Sequence, residues 1–145
     1  MKIKHGSWVV IADGAKYLLL VNQGDAFALD LRVQDHVEEP HALTHDQGTD
    51  EPGRFPGPAG GKSAVSQADW HQLEEAEFAD KLADRLRMAA LKNEFDALVL
   101  VADPRTLGNL RPKLHEEVRK RLTAEVPKDL TREPIRKIEK LLEKY

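Results

Sequence analysis

The chain contains no cysteine. That excludes disulfides, thiolate metal ligands and a cysteine nucleophile, and it suits a reducing compartment. Long apolar runs are missing as well. The longest, "WVVIA", "YLLLV" and "ALVLVA", fall far short of the roughly 20 residues a membrane-spanning helix needs. The opening "MKIKHGSWVVIADG" has lysines but too brief an apolar stretch for a secretory signal. A cytoplasmic protein with no membrane partner is therefore expected. No internal repeat is visible. A Walker nucleotide loop is absent too, because in "GPAGGKS" the position five residues before Gly61 is Pro56 rather than glycine.

What is present describes one globular domain, residues 1–145, with 41% hydrophobic and 32% charged residues. The net charge of −3 conceals a gradient. Residues 1–103 carry ten Lys and Arg against eighteen Asp and Glu, whereas residues 104–145 carry twelve against seven. An acidic front and a basic tail let one face approach phosphate without amounting to a nucleic-acid-binding composition.

Periodicity lays out the elements. "SWVVIADG" holds a continuous β-branched run, Val9–Val10–Ile11, suited to a strand covered on both faces. Asp13-Gly14 reads as a hairpin turn that tolerates positive φ, and "KYLLLVN" as the second strand. After a turn at Gln23-Gly24-Asp25, "AFALDLRVQD" alternates Phe27, Leu29, Leu31 and Val33 with polar or small residues, the pattern of a third strand with one wet face. These three make an antiparallel meander. A helix is expected from Asp69, N-capped by that residue with Gln72 as its capping-box partner, and carrying Ala79, Leu82, Ala83, Leu86, Ala89 and Ala90 on one face. "DALVLVAD" reads as an interior strand. "PRTLGNLRPKLHEEVRKRL" reads as a helix interrupted at Gly108 and Pro112, and "TAEVPKDLT" as a short edge strand. The last helix has Pro134 in its first turn and Ile135, Ile138, Leu141 and Leu142 as its apolar stripe. The order βββ–loop–α–β–α–β–α gives an α/β (α+β) fold: a mixed sheet of about five strands with helices packed on it.

Between about His36 and Asp69 no periodicity survives, and Pro40, Pro52, Pro56 and Pro58 interrupt any attempt at one. An excursion of this length in a small domain is usually functional or disordered. Near its end stand Gly60, Gly61 and Lys62. Adjacent glycines either end a flexible connection or let backbone amides approach another molecule without a Cβ in the way.

The segments "WVVIADGAK", "DEPGRF", "FADKLADRL", "FDALVLVADPRTLGNLRPKL" and "KDLT", in this order along the whole chain, resemble the bacterial host-attachment protein family. The layout is also similar to the middle domain of the archaeal and eukaryotic class-1 release factor and of Pelota. In the release factor a strand meander leads into a Gly-Gly-Gln loop that opens a long helix. Here Gly60-Gly61-Lys62 stands in that place, with lysine where the family has glutamine. The resemblance implies a tip that reaches into a ribosomal or other RNA site. Glutamine both donates and accepts hydrogen bonds and so can orient water, whereas lysine only donates; the Lys62 amide remains a possible oxyanion donor. The excursion itself is acidic, with seven acids against Arg54 and Lys62 between Asp35 and Asp69, and is repelled by RNA overall.

Other residues suggest chemistry. Arg54, Lys62, Arg105 and Arg111 are candidate anion or RNA contacts, since a guanidinium fork suits phosphate or carboxylate; ordinary ion pairs are the competing role. His36, His41 and His45 are weak metal-ligand candidates, because imidazole suits zinc or manganese but the spacing fits no ligand motif. Asp13 and Asp103 each follow an apolar strand and can meet at the sheet edge where α/β folds place their sites; the competing roles are turn residue and helix cap. The sequence thus points first to a non-enzymatic binding or regulatory protein that needs no cofactor and acts through residues 36–69. Its expected partners are the ribosome or tRNA, or another protein. The alternatives are a release or rescue factor using Gly60-Gly61-Lys62, and a metal-dependent hydrolase at Asp13 and Asp103.

Overall fold

A computed structural model describes residues 1–39 and 60–145, with the side chains of residues 60–68 left out. The strands are β1 (Trp8–Ala12), β2 (Lys16–Asn22), β3 (Leu31–Glu38), β4 (Leu98–Ala102) and β5 (Leu122–Val126). The helices among the described residues are α1 (Gly60–Leu91), α2 (Pro104–Leu110), α3 (Glu116–Arg121) and α4 (Ile135–Lys144), with a 3-10 turn at Arg111–Lys113 between α2 and α3. The five strands form one sheet in the order β3-β2-β1-β4-β5. β1 to β3 are the antiparallel meander, while β4 lies parallel to β1 and β5 parallel to β4.

β1 is central and every residue in it is buried, as in β4 beside it. Alternate side chains feed two cores. Trp8, Val10, Ala12, Leu98 and Leu100 face α1, α2 and α3, meeting Phe78, Leu82, Leu86, Leu107, Leu110 and Val118. Val9, Ile11, Val99 and Val101 face the other way, onto Ile138 and Leu142 of α4. An unbroken apolar run is what a strand covered on both faces requires. Rings reinforce the first core: Trp8 stacks on Phe95 with centroids 4.6 Å apart, and Tyr17 tilts against Phe78 at 5.9 Å.

Three local expectations are corrected. α1 starts nine residues before Asp69, so Asp69 is an interior helical residue and not an N-cap. The third strand starts at Leu31 and ends at Glu38, with a register shift opposite Leu19 and Leu20, so Gln34 is bulged out and the simple alternation breaks. Phe27 consequently sits in the β2–β3 connection, 83% exposed. Side chains hold that connection. Asn22 Oδ1 accepts from the Gly24 and Asp30 amides, and Asp25 Oδ1 accepts from Phe27 and Ala28. A Cβ on Gly24 would collide with the Ala28 carbonyl, so glycine is required there by close approach. At Gly14 a Cβ would press on the Glu75 side chain, which would have to shift, and the expected positive φ is not found there: among described glycines it occurs at Gly6.

With β3 reaching Glu38 and α1 beginning at Gly60, the expected 36–69 excursion is shorter at both ends, and residues 40–59 lie outside the described residues. Two outcomes follow from the packing. Leu86→Ala, at a fully buried position of α1, is expected to lower unfolding free energy by about 2–5 kcal/mol in urea titration. Burial, then the nearby Asp35 charge, raises the Tyr17 phenol above its ordinary value. The associated stability is fully present below about pH 10 and is lost as pH climbs through the higher folded value. Tyr17→Phe should therefore flatten the fall in urea midpoint above that pH.

Candidate functional site

α1 is 32 residues long, about 48 Å, and among its described side chains, from Asp69 on, the first buried against the sheet is Phe78. Gly60 lies eighteen residues, about 27 Å of helix, before that point. The N-terminal part of α1 thus forms an arm whose first turn is Gly60-Gly61-Lys62. Two side chains of the arm are visible in solvent, Trp70 at 60% and Leu73 at 58% exposure. The sequence explains why. Each stands nine residues before a core position (Ala79 and Leu82), which is two and a half turns, and so each points directly away from the core.

Polar contacts fix where the arm leaves the body. Glu75 packs over Gly14, where an added Cβ would come within 2.9 Å of its Cγ, and its Oε2 is 2.9 Å from Arg105 Nε. Lys113 Nζ donates to the Ala76 carbonyl at 2.7 Å and pairs with Asp80 at 3.0 Å. Lys81 pairs with Glu39 at 2.9 Å and Arg85 with Asp35 at 3.7 Å. Exposed pairs of this kind contribute little stability each. Here four of them hold successive turns of one helix from β3 and the residue after it, from α2 and from the 3-10 turn, with Gly14 of the β1–β2 turn packed against Glu75. Gly14 and Arg105 follow the C-terminal ends of β1 and β4, so α1 passes that edge at Glu75 and the arm lies beyond it. Next to the collar is a cleft of about 150 Å³ lined by Glu39, Trp70, Glu74, Glu77, Phe78 and Lys81. The collar and the exposed Trp70 escaped the sequence reading; the half-turn phase of Trp70 was the available signal.

The same sheet edge holds Asp13 and Asp103, brought side by side because Ala12 pairs with Ala102. All four carboxylate oxygens are engaged in local structure. Asp13 Oδ1 accepts from the Ala15 and Lys16 amides at 2.8 Å each, and Oδ2 accepts from the Thr131 hydroxyl at 3.2 Å. Asp103 caps α2, taking the Thr106 amide at 3.2 Å and its hydroxyl at 2.6 Å. Thr131 Oγ1 also lies 2.6 Å from Asp129 Oδ1, so "KDLT" latches the β5–α4 connection onto the β1–β2 turn. These roles are those of a turn residue and a helix cap. No group of three or more His, Asp or Glu able to hold a metal occurs among the described residues.

The remaining candidates are dispersed. His36 lies on β3, exposed and opposite Leu18; His41, His45 and Arg54 lie outside the described residues. Arg105 answers Glu75 on α1, whereas Arg111 answers Glu125 on β5 at 2.7 Å. Each guanidinium is held by a different carboxylate on a different element. Gly60, Gly61 and Lys62 share the first turn of α1, where the amides of a helix start are not used within the helix.

The latch gives a direct test. Thr131→Val keeps the shape of a buried side chain but removes the hydroxyl shared by Asp13 and Asp129. It is expected to cost about 1–3 kcal/mol in thermal or urea unfolding. Arg105→Gln, which opens one exposed pair of the collar, should change stability by about 1 kcal/mol or less in the same measurement.

No curated protein matches the chain. Residues 6–142, from the turn before β1 into the last helix, match the family described as bacterial archaeo-eukaryotic release factor family 12. No helix among the described residues is long and apolar enough to cross a membrane. With its strand meander leading to a long helix that begins at twin glycines, the chain belongs to that bacterial branch of the release-factor family.

Proposed function

We propose that this is a translation-directed binding protein that presents the start of α1, Gly60-Gly61-Lys62, to a site on the ribosome lined by tRNA or ribosomal RNA. The observation that carries the reading is the placement of the twin glycines at the first turn of a helix whose body is gripped from Glu75, about 22 Å away, in a chain of release-factor ancestry. A gripped helix presents its end at a defined distance from the domain, and glycines allow close approach of backbone to ligand. Lys62 supplies a charge and donors for phosphate but no acceptor for a water. Binding without ester hydrolysis is the chemistry that donor set suits. The reading requires a cytoplasmic protein, and any influence on attachment to host cells would be indirect, through translation.

Ribosome co-sedimentation tests it. The wild type is expected to pellet with ribosomes at moderate salt, and Lys62→Glu to reduce the bound fraction about tenfold, with no hydrolysis of peptidyl-tRNA by either. Lys62→Gln restores a side chain that can orient water and should raise hydrolysis above background if the arm reaches the ester. Failure of the wild type to co-sediment would overturn the proposal. Hydrolysis by the wild type would favour the release-factor reading, with the Lys62 amide as oxyanion donor.

A further inference from the structure

The basic tail of the sequence has a location in the fold. α4 covers the sheet face opposite α1, burying Ile138 and Leu142. Turning 100° per residue, the helix sets Arg136, Lys137, Lys140 and Lys144 within about a quarter-turn or so of one another on the side directly opposite those two leucine and isoleucine side chains. All four are exposed, as is Arg132 one four-residue step earlier. Arg136, Lys140 and Lys144 follow each other at about 6 Å along the axis.

Along this ridge, cations without an ion pair among the described residues come in a row, whereas elsewhere they stand singly, as at Lys4, Lys16 and Lys92. Most other arginines and lysines among the described residues have a partner, such as Arg105 with Glu75, Arg111 with Glu125 and Lys113 with Asp80. Arg132, Arg136, Lys140 and Lys144 have no ion pair, hydrogen bond or ring contact among the described residues. Nearby acids are committed elsewhere: Glu133 pairs with Lys137 at 3.2 Å, Glu139 accepts the Leu31 amide at 2.8 Å, and Asp129 holds Thr131. Glu143, at the ridge's margin, is the one exposed acid of the helix left over.

Helix energetics argue against a merely self-stabilising pattern. The first turn of α4 has no acid and holds Arg136 and Lys137, cations at the positive end of the helix dipole. Arg136 to Lys140 and Lys140 to Lys144 are like-charge pairs at four-residue spacing, each unfavourable to the isolated helix, although Glu143 three residues after Lys140 and Lys144 in the last turn offset part of this. Local rules broken together on an exposed face point to a function outside the chain. A row of cations lacking counter-charges fits an extended polyanion.

We infer that the outer ridge of α4, Arg136, Lys140 and Lys144, with Arg132 from the turn before it, docks on the phosphate backbone of structured RNA, on the sheet face opposite the one that α1 packs on. From the translation reading it takes only that the available polyanion is RNA. Phosphate contacts of this kind position a protein without reading sequence. The ridge would thus orient the domain while the arm makes its separate contact.

The test uses a fluorescent RNA duplex of about 20 base pairs, a length that spans nearly two helical turns, with anisotropy followed over a salt series. Wild type should bind at low salt with a steep salt dependence. Arg136→Gln/Lys140→Gln/Lys144→Gln together should weaken binding 10–100-fold and lower the salt slope by about two to three, at roughly 0.7–0.9 per lost contact. The triple variant should melt no lower than wild type, since it relieves repulsion and touches no core residue. Lys4→Gln/Lys92→Gln, neutralising cations elsewhere, should leave binding within twofold. Unchanged affinity and slope in the triple variant would overturn the inference. So would equal loss in the control variant, or binding to phosphatidylserine vesicles with none to RNA. The duplex contains no peptidyl-transferase site. A failure here therefore leaves the arm reading standing, and loss of ribosome co-sedimentation with duplex binding intact would sink the arm reading alone.

Discussion

The seating of α1 on the sheet is the constraint from which the rest of the architecture follows. Phe78, Ala79, Leu82, Ala83, Leu86, Ala89 and Ala90 bury one stripe of the helix against β1, β2 and β4. The alanines let the helix approach closely while phenylalanine and leucine fill the spaces between strands. Once twelve or so residues are locked in this way, the direction of everything N-terminal to them is fixed, because a helix is stiff over that length. The core therefore aims the arm, although no core residue belongs to it.

The collar has a different task from the core. Its ion pairs are partly exposed and individually weak, but they attach to α1 from Asp35 and Glu39, Arg105 and Lys113, three separate places in the chain, with the Gly14 turn packed beside them. Distributed weak contacts resist rotation and sliding of the helix more than they resist unfolding. Beneath the collar, Asp13, Thr131 and Asp129 join the β1–β2 turn to the segment before α4. The two layers of helix are thereby tied to the same sheet edge, and the motifs "ADGAK", "ADPRT" and "KDLT" all contribute to this junction. Carboxylates that look catalytic in a list of residues are consumed here by amides and hydroxyls.

Charge divides along the same architecture. The acids cluster on the first two-thirds of the chain, where several of them hold α1, and among the described residues a row of cations without ion pairs lies on α4, on the opposite face. In a protein of net charge −3 a cationic ridge exists only by such segregation, since fixed charges of opposite sign, evenly mixed, cancel at a distance. The structure thus separates a tip carried by α1 from a ridge carried by α4, with the sheet between them.

Read from the sequence alone, the order of the elements was clear wherever the pattern was strong. The unbroken runs at Val9–Ile11 and Leu98–Val101 could only be strands covered on both faces, and the stripes on α1 and α4 had a single helical phase each. Pro112 likewise marked the division between α2 and α3, whereas Gly108 lies inside α2 without breaking it. Local signals failed where a tertiary contact outweighed them. Asp69 has the chemistry of a cap, yet the helix continues through it back to the glycines, and the alternation around Phe27 gives way to a loop organised by Asn22 and Asp25. Pairing across distance was beyond any reading of spacing: Glu75 with Arg105, Lys113 with Asp80, Thr131 with Asp13. Those contacts join residues 30 to 118 positions apart, and only the folded chain decides which partners meet. The sequence determined which segments are helix or strand and that the tail is basic, because periodicity and composition are local. The tertiary structure decided which charges are neutralised and which stay exposed without an ion pair, because that depends on what the fold sets side by side.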